Sequence, residues 1–118
     1  MFLDDDEDLR LLVEMAFRKA GHTLMGAANV QQALQLVSTN VFDFLIIDMN
    51  LLGMSGIEAI NEIRKSGCQS PVIIFSGGME PSNSEDLQSL GVIRIMEKTH
   101  NQKNLVDYIE SLMRYGIK

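Results

Sequence analysis

The chain has a single cysteine, Cys68, so it has no intramolecular disulfide. A lone thiol fits a reducing compartment, and its plain reading is an inert loop residue. The chain is also short of positive charge, with 10 Lys and Arg against 16 Asp and Glu, a net charge of −6. Phosphate backbones are bound by clustered Lys and Arg, so this balance argues against nucleic acid as a direct partner. No apolar run approaches the roughly 20 residues that span a bilayer, and no signal peptide is visible. A cytoplasmic protein with no membrane partner is expected. Internal repeats, low-complexity tracts and linkers are missing too. At 118 residues the expectation is one domain, 1–118, burying roughly two-thirds of its unfolded surface.

Acid, by contrast, is concentrated at one place. Residues 2–10 read FLDDDEDLR, with Asp4, Asp5, Asp6, Glu7 and Asp8 in an unbroken run after a short apolar stretch. From Asp8 the period changes. Leu9, Leu12, Val13, Ala16, Phe17 and Ala20 fall at helical spacing, and Gly21 is a stop. His22 to Ala27 reads as a weak strand, and Ala33, Leu34 and Val37 mark a second helix with Asn29 as its N-cap. FDFLIID, 42–48, carries a continuous apolar run, as expected of a strand covered on both faces, and stops at Asp48. Ile57, Ile60 and Ile63 mark a third helix. PVIIF, 71–75, is another buried strand, ending at Ser76. A helix starting near Pro81 and closed by Gly91 follows, then the strand VIRIM, 92–96, and a last helix lined by Leu105, Ile109 and Leu112. Five strands alternating with five helices predict an α/β fold with a parallel sheet covered on both faces.

In an open parallel sheet, ligands bind beyond the carboxyl ends of the strands, where the strand order reverses. Asp4 and Asp5 follow the first strand, Asp48 the third, Ser76 the fourth and Lys98 the fifth. With the first and third strands adjacent, three carboxylates from distant parts of the chain share one cleft. Like charges that close repel unless a cation intervenes, and a hard divalent ion such as Mg²⁺ suits oxygen ligands. A carboxylate beside a cation, with a hydroxyl and an ammonium near, forms a site for phosphoryl transfer. Asp48 ends a buried strand in mid-sheet and is the best-placed nucleophile. Asp6, Glu7 and Asp8 are expected to favour the positive end of the first helix and to face solvent.

The acid pair after the first strand, the apolar run ending in Asp48, Gly56 eight residues later, PVIIFS and Lys98 occur together and in order. With these features the chain resembles the receiver domain of two-component response regulators over nearly its full length. The resemblance implies a flavodoxin-like doubly wound (βα)5 fold with strand order 2-1-3-4-5. It implies phosphorylation of Asp48 by a sensor histidine kinase or phosphotransfer protein, and Mg²⁺ held by Asp5, the Asp48 carboxylate and the Asn50 backbone carbonyl. Asp4 would act largely through water, Ser76 would hydrogen-bond the phosphoryl group and Lys98 would pair with it. No metabolite would be turned over. Phosphorylation would switch a protein-interaction surface around the fourth and fifth helices, read by an effector domain or protein outside these residues. The first strand is shorter than receivers usually have, so Met1 is not expected to be the natural start.

Several positions depart from the family pattern, among them Leu51, Leu52 and Ser55 where Met, Pro and Asp are frequent. Ile95 stands where an aromatic is usual, and without a ring to rotate inward, switching is expected to rely on loop and helix shifts. Thr99 stands where proline usually follows the lysine. These departures keep open an alternative, a receiver-like interaction module that works without phosphorylation. Other signals are weaker. Asp4, Asp6 and Asp8 imitate a calcium loop, but the glycine and glutamate it needs are Leu9 and Met15. A haloacid-dehalogenase-like phosphatase would also start with such acids, but Asp8 stands where Thr or Val is usual. His22 and His100 are isolated, and the eight Met read mainly as gap-filling core residues. A cis bond before a non-proline residue is disfavoured by about 3–4 kcal/mol, against ~0.5–1 before proline. The Lys98–Thr99 bond is therefore expected to be trans, and a crystal structure resolving that loop checks it.

Overall fold

The computed structural model describes residues 1–51, 53–76, 84–97 and 103–115. Five strands form one parallel sheet: β1 (Phe2–Leu3), β2 (Gly26–Ala27), β3 (Leu45–Asp48), β6 (Val72–Ser76) and β7 (Val92–Glu97). Their order is β2-β1-β3-β6-β7. Numbered among themselves, these strands run 2-1-3-4-5, the flavodoxin-like arrangement. Between β3 and the next helix lies a small antiparallel hairpin of β4 (Asn50–Leu51) and β5 (Met54–Ser55) that the sequence pattern had not suggested.

The helices are α1 (Glu7–Lys19), α2 (Val30–Thr39), α3 (Gly56–Lys65), α4 (Ser84–Ser89) and α5 (Lys103–Tyr115). Short polar side chains start three of them. Asp6 accepts from the Leu9 amide at 3.1 Å, Asn29 from Gln32 at 2.9 Å and Ser55 from Glu58 at 3.1 Å. Gly21 and Gly91 follow α1 and α4 at φ of 90° and 81°. The predicted start of the fourth helix at Pro81 lies outside the described residues.

The strands alternate faces, and the alternation builds two cores. Leu3, Leu45, Ile47, Val72 and Ile74 face α2 and α3, where Ala33, Ala59, Ile60 and Ile63 are buried. Phe2, Ile46, Ile73 and Phe75 face α1 and α5, against Val13, Phe17, Leu105 and Ile109. A sheet sealed on both sides explains why the third and fourth strands read as unbroken apolar runs. Burying each such side chain contributes about 1.5–3 kcal/mol.

The helix face of α1 is narrower than predicted. Leu12 was expected inward but is 52% exposed, as Met15 is 62% exposed. Leu9, Val13, Ala16 and Phe17 already fill the sheet-facing stripe, and at 100° per residue Leu12 falls beyond its edge. Met15 and Met25 also depart from the expected role of methionine in the core, which Met1 and Met49 do fill. Cys68 is half-buried, with its thiol 3.6 Å from the Ser70 hydroxyl.

Two strands are shorter than the sequence suggests. Residues 22–25 and 42–44 have strand-like composition but lie outside β2 and β3. The strand between them is only two residues long, and a strand flanking it can pair only as far as it reaches. An open cleft of about 350 Å³ lies at this end of the sheet, lined among others by Met1, Leu24, Met25, Val41 and Phe44. The Met1 amine donates to the Phe44 carbonyl at 3.1 Å and is buried there. Burial pushes its pKa from 8.0 down to about 5, against the pull of Cys68 and Asp43. Between those values the unfolded chain binds a proton that the folded chain does not, so stability falls as pH falls from 8 to 5. For the chain starting at Met1 the loss should be on the order of 3–4 kcal/mol. Urea midpoints across that range measure it, and acetylating the amine should remove this part of the slope.

Candidate functional site

Parallel pairing decides which acids meet. Phe2 is in register with Ile46 and Leu3 with Ile47, so the residue after β1 and the last residue of β3 reach the same rim. One carboxylate oxygen from each of Asp4, Asp5 and Asp48 lies within 4.8 Å of the others. Asp4 is fully buried and Asp48 is 2% exposed, whereas Asp5 faces solvent. The rim is therefore a half-open acidic cup with two sealed carboxylates and one wet one.

Local chemistry holds each wall. The Asp4 amide donates to the Ala27 carbonyl at 3.1 Å, continuing the β1–β2 pairing one residue past the strand. The Asp4 Oδ1 accepts from the Asp6 amide at 2.9 Å, which turns the chain from strand into helix. Asp6 then caps α1, and Glu7 and Asp8 lie in its first turn, all three exposed. The calcium-loop imitation fails in space as well, because the clustered acids are Asp4, Asp5 and Asp48 rather than Asp4, Asp6 and Asp8.

On the opposite wall, Asp48 is paired with Phe75, and the Met49 amide donates to the Phe75 carbonyl at 3.3 Å. The chain then folds back so that the Gly56 amide donates to the Met49 carbonyl at 2.7 Å. A Cβ on Gly56 would meet the Asp48 carbonyl oxygen and lie 2.9 Å from the Met49 Cα. Only glycine lets the start of α3 sit this close to the acid-bearing turn. Asn50 is on the main chain of this turn, in β4 opposite Ser55. Ser76 ends β6 in register with Glu97, and its hydroxyl is outside the described part of the structure. Lys98 and Thr99, with the bond between them, lie outside the described residues, as do His100 and Met79. Ile95 is half-buried opposite Ile74 and packs against the α2–α3 side of the sheet. His22 pairs with Glu110 on α5 at 3.1 Å, far along the chain from the acids.

Arg10 is a contributor that the sequence pattern did not single out. Its Nη1 donates to the Asp4 carbonyl at 2.6 Å. The signal was there in a lone cation directly after the acidic run, but nothing in the spacing says that it folds back onto the main chain.

The donor set fits a hard divalent ion. All three side chains offer carboxylate oxygen, no soft ligand is in the cluster, and the exposed side leaves room for water or a phosphate oxygen. No helix among the described residues is long and apolar enough to cross a membrane.

Residues 1–110 match a family model described as the response regulator receiver domain. The chain is 30% identical over 118 residues to the uncharacterised transcriptional regulatory protein YrkP of Bacillus subtilis, covering 99% of this chain and 50% of that one. It thus spans half the length of that relative. It is 26% identical over 113 residues to sporulation initiation phosphotransferase F of the same organism, covering 96% of this chain and 91% of that one. It is also similar to a crystal structure of the Thermotoga maritima response regulator TrrA in complex with Mg²⁺ and BeF. That match has a TM-score of 0.76 and 25% identity, and covers 94% of this chain and 95% of the other.

Replacing Gly56 by Ala should favour helix by up to ~1 kcal/mol through propensity, yet overpack the Asp48 turn by about 1–3 kcal/mol. The contact should win. Urea denaturation is expected to show a net loss of stability, with the largest amide shifts at residues 48–50.

Proposed function

The chain belongs to the response regulator receiver family of two-component signalling, and on that premise we propose that it is a phosphoacceptor whose acceptor is Asp48. The observation that carries this reading is the meeting of Asp48, at 2% exposure, with Asp4 and Asp5 at the strand rim. The donor would be a phosphohistidine on a sensor kinase or phosphotransfer protein. An Asp48 carboxylate oxygen attacks phosphorus, a P–O bond forms as the P–N bond breaks, and the departing imidazole takes a proton. The β3 backbone and the Gly56 contact hold the nucleophile still, so little orientation is lost on the way to the transition state.

Asp5, the Asp48 carboxylate and the Asn50 carbonyl would hold Mg²⁺, with Asp4 acting through water. The ion supplies positive charge that offsets the charge on the transferring oxygens. Ser76 would donate to the phosphoryl group and Lys98 would pair with it. Asp4, sealed from solvent, has its Oδ1 bonded to the Asp6 amide, which suits a supporting role, whereas Asp5 is open to a hydrated ion.

The readout follows from packing. Ile95 fills its place with an aliphatic side chain already embedded beside Ile74, so no ring rotation is available. Phosphorylation would move the loop after β6 together with α4, altering a protein-interaction surface at α4 and α5. Residues 1–118 form one domain in this reading, working in the cytoplasm, without nucleic-acid or membrane contact of its own and without turnover of a metabolite. An effector domain or protein would take the output.

Incubation with acetyl phosphate or phosphoramidate and Mg²⁺, followed by intact-mass measurement, tests the assignment. A gain of one phosphoryl group is expected, absent without Mg²⁺ and absent in Asp48→Ala. No gain with any donor would sink it in favour of an interaction module that works without phosphorylation.

A further inference from the structure

Asp5 is the wet wall of the acidic cup, and among the described residues its carboxylate makes no hydrogen bond that would orient it. The main chain therefore contributes to its direction. A peptide unit is planar, so the orientation of the Asp4 carbonyl sets the plane that contains the Asp5 nitrogen and Cα. That plane in turn sets where the Asp5 side chain leaves the backbone.

The Asp4 carbonyl is held by Arg10 Nη1 at 2.6 Å. Two further restraints on this turn act on different groups: the Asp4 amide is tied to Ala27, and the Asp4 Oδ1 to the Asp6 amide. Arg10 is thus a side chain bonded directly to the peptide between the two acids. Its position is itself prepared. It stands in the first turns of α1, and its own amide bonds to the carbonyl of the cap residue Asp6 at 3.0 Å. Beneath its stem β2 offers Gly26, where a Cβ would lie 3.5 Å from the Arg10 Cδ and collide with the Glu14 carboxylate. A side chain at 26 would thus press on Glu14, while the Arg10 stem lies at ordinary contact distance. A guanidinium suits this task because its donors are set in a rigid fork, whereas a lysine ammonium is a mobile point charge.

We propose that Arg10 is a positioning residue for the acidic cup, holding the Asp4–Asp5 peptide plane so that the Asp5 carboxylate faces Asp48. The proposal rests on the reading that this cup binds Mg²⁺. It differs in sign from a purely electrostatic role, since a cation that only adds charge beside the cup would weaken Mg²⁺ binding, and its removal would strengthen it.

Mg²⁺ titration of the full chain, followed by amide chemical shifts and by calorimetry, separates these cases. Groups that orient metal ligands typically contribute 10–100-fold in affinity, so Arg10→Met should weaken Mg²⁺ binding by about tenfold or more. Arg10→Lys should recover part of the loss. Thermal melting without Mg²⁺ serves as the structural control, because a role in folding alone lowers the melting point and leaves the Mg²⁺ affinity of the folded fraction unchanged. An Arg10→Met chain that binds Mg²⁺ as tightly as the parent, or more tightly, overturns the proposal and leaves the metal reading intact. A parent chain that binds no Mg²⁺ overturns both. If Arg10→Met does not fold, Arg10→Lys decides: weaker binding supports the proposal, and unchanged binding ends it.

Discussion

The pairing of β1 with β3 is the contact on which the remainder of the molecule depends. Because the two strands run in the same direction with Leu3 opposite Ile47, their carboxyl ends stop at one level and their acids meet. That meeting is unfavourable by itself. Two full negative charges under 5 Å apart repel by about 3–4 kcal/mol at the effective dielectric typical of such sites. The strands that impose it bury Phe2, Leu3, Leu45, Ile46 and Ile47 on the two faces of the sheet. At about 1.5–3 kcal/mol for each side chain, that burial outweighs the repulsion. The sheet thus holds three acids together at its rim, a donor set that suits a hard divalent cation.

The two ends of β1 show opposite solutions to one problem. At its carboxyl end the chain is tied by the Asp4 amide, the Asx turn onto Asp6 and the Arg10 guanidinium, all within a few residues. At its amino end the Phe2 amide donates to the Met25 carbonyl at 2.8 Å and the Met1 nitrogen to the Phe44 carbonyl at 3.1 Å.

The site walls are built by different devices with a shared consequence. Glycine at 56 lets a helix start press against the Asp48 turn, and the hairpin of β4 and β5 spans the turn between them. Ile95, embedded beside Ile74, replaces a movable ring with a stiff aliphatic contact.

Much of this was written locally. The run Phe44–Ile47 declares a strand sealed on both sides because only such a strand can afford apolar residues at every position. The caps at Asp6, Asn29 and Ser55 lie where short polar side chains precede helical spacing, and the acids at 4, 5 and 48 stand where parallel strands end. Other features depended on partners that spacing does not reveal. Leu12 matches the helical period yet is exposed, because Leu9, Val13 and Phe17 already fill the space against the sheet. Residues 22–25 have strand composition yet lie outside β2, although the Met25 carbonyl accepts from the Phe2 amide at 2.8 Å. The bond from Arg10 to the Asp4 carbonyl forms where the turn after β1 brings that carbonyl to the first turns of α1. The order of the elements of the main sheet and its helices, their two apolar faces and the identity of the acids were thus set by the chain alone, since periodicity and strand ends are local properties. Which side chains seal the core, how far each strand pairs and what orients the acidic cup were decided only on folding, since each requires surfaces distant in sequence to compete for the same space.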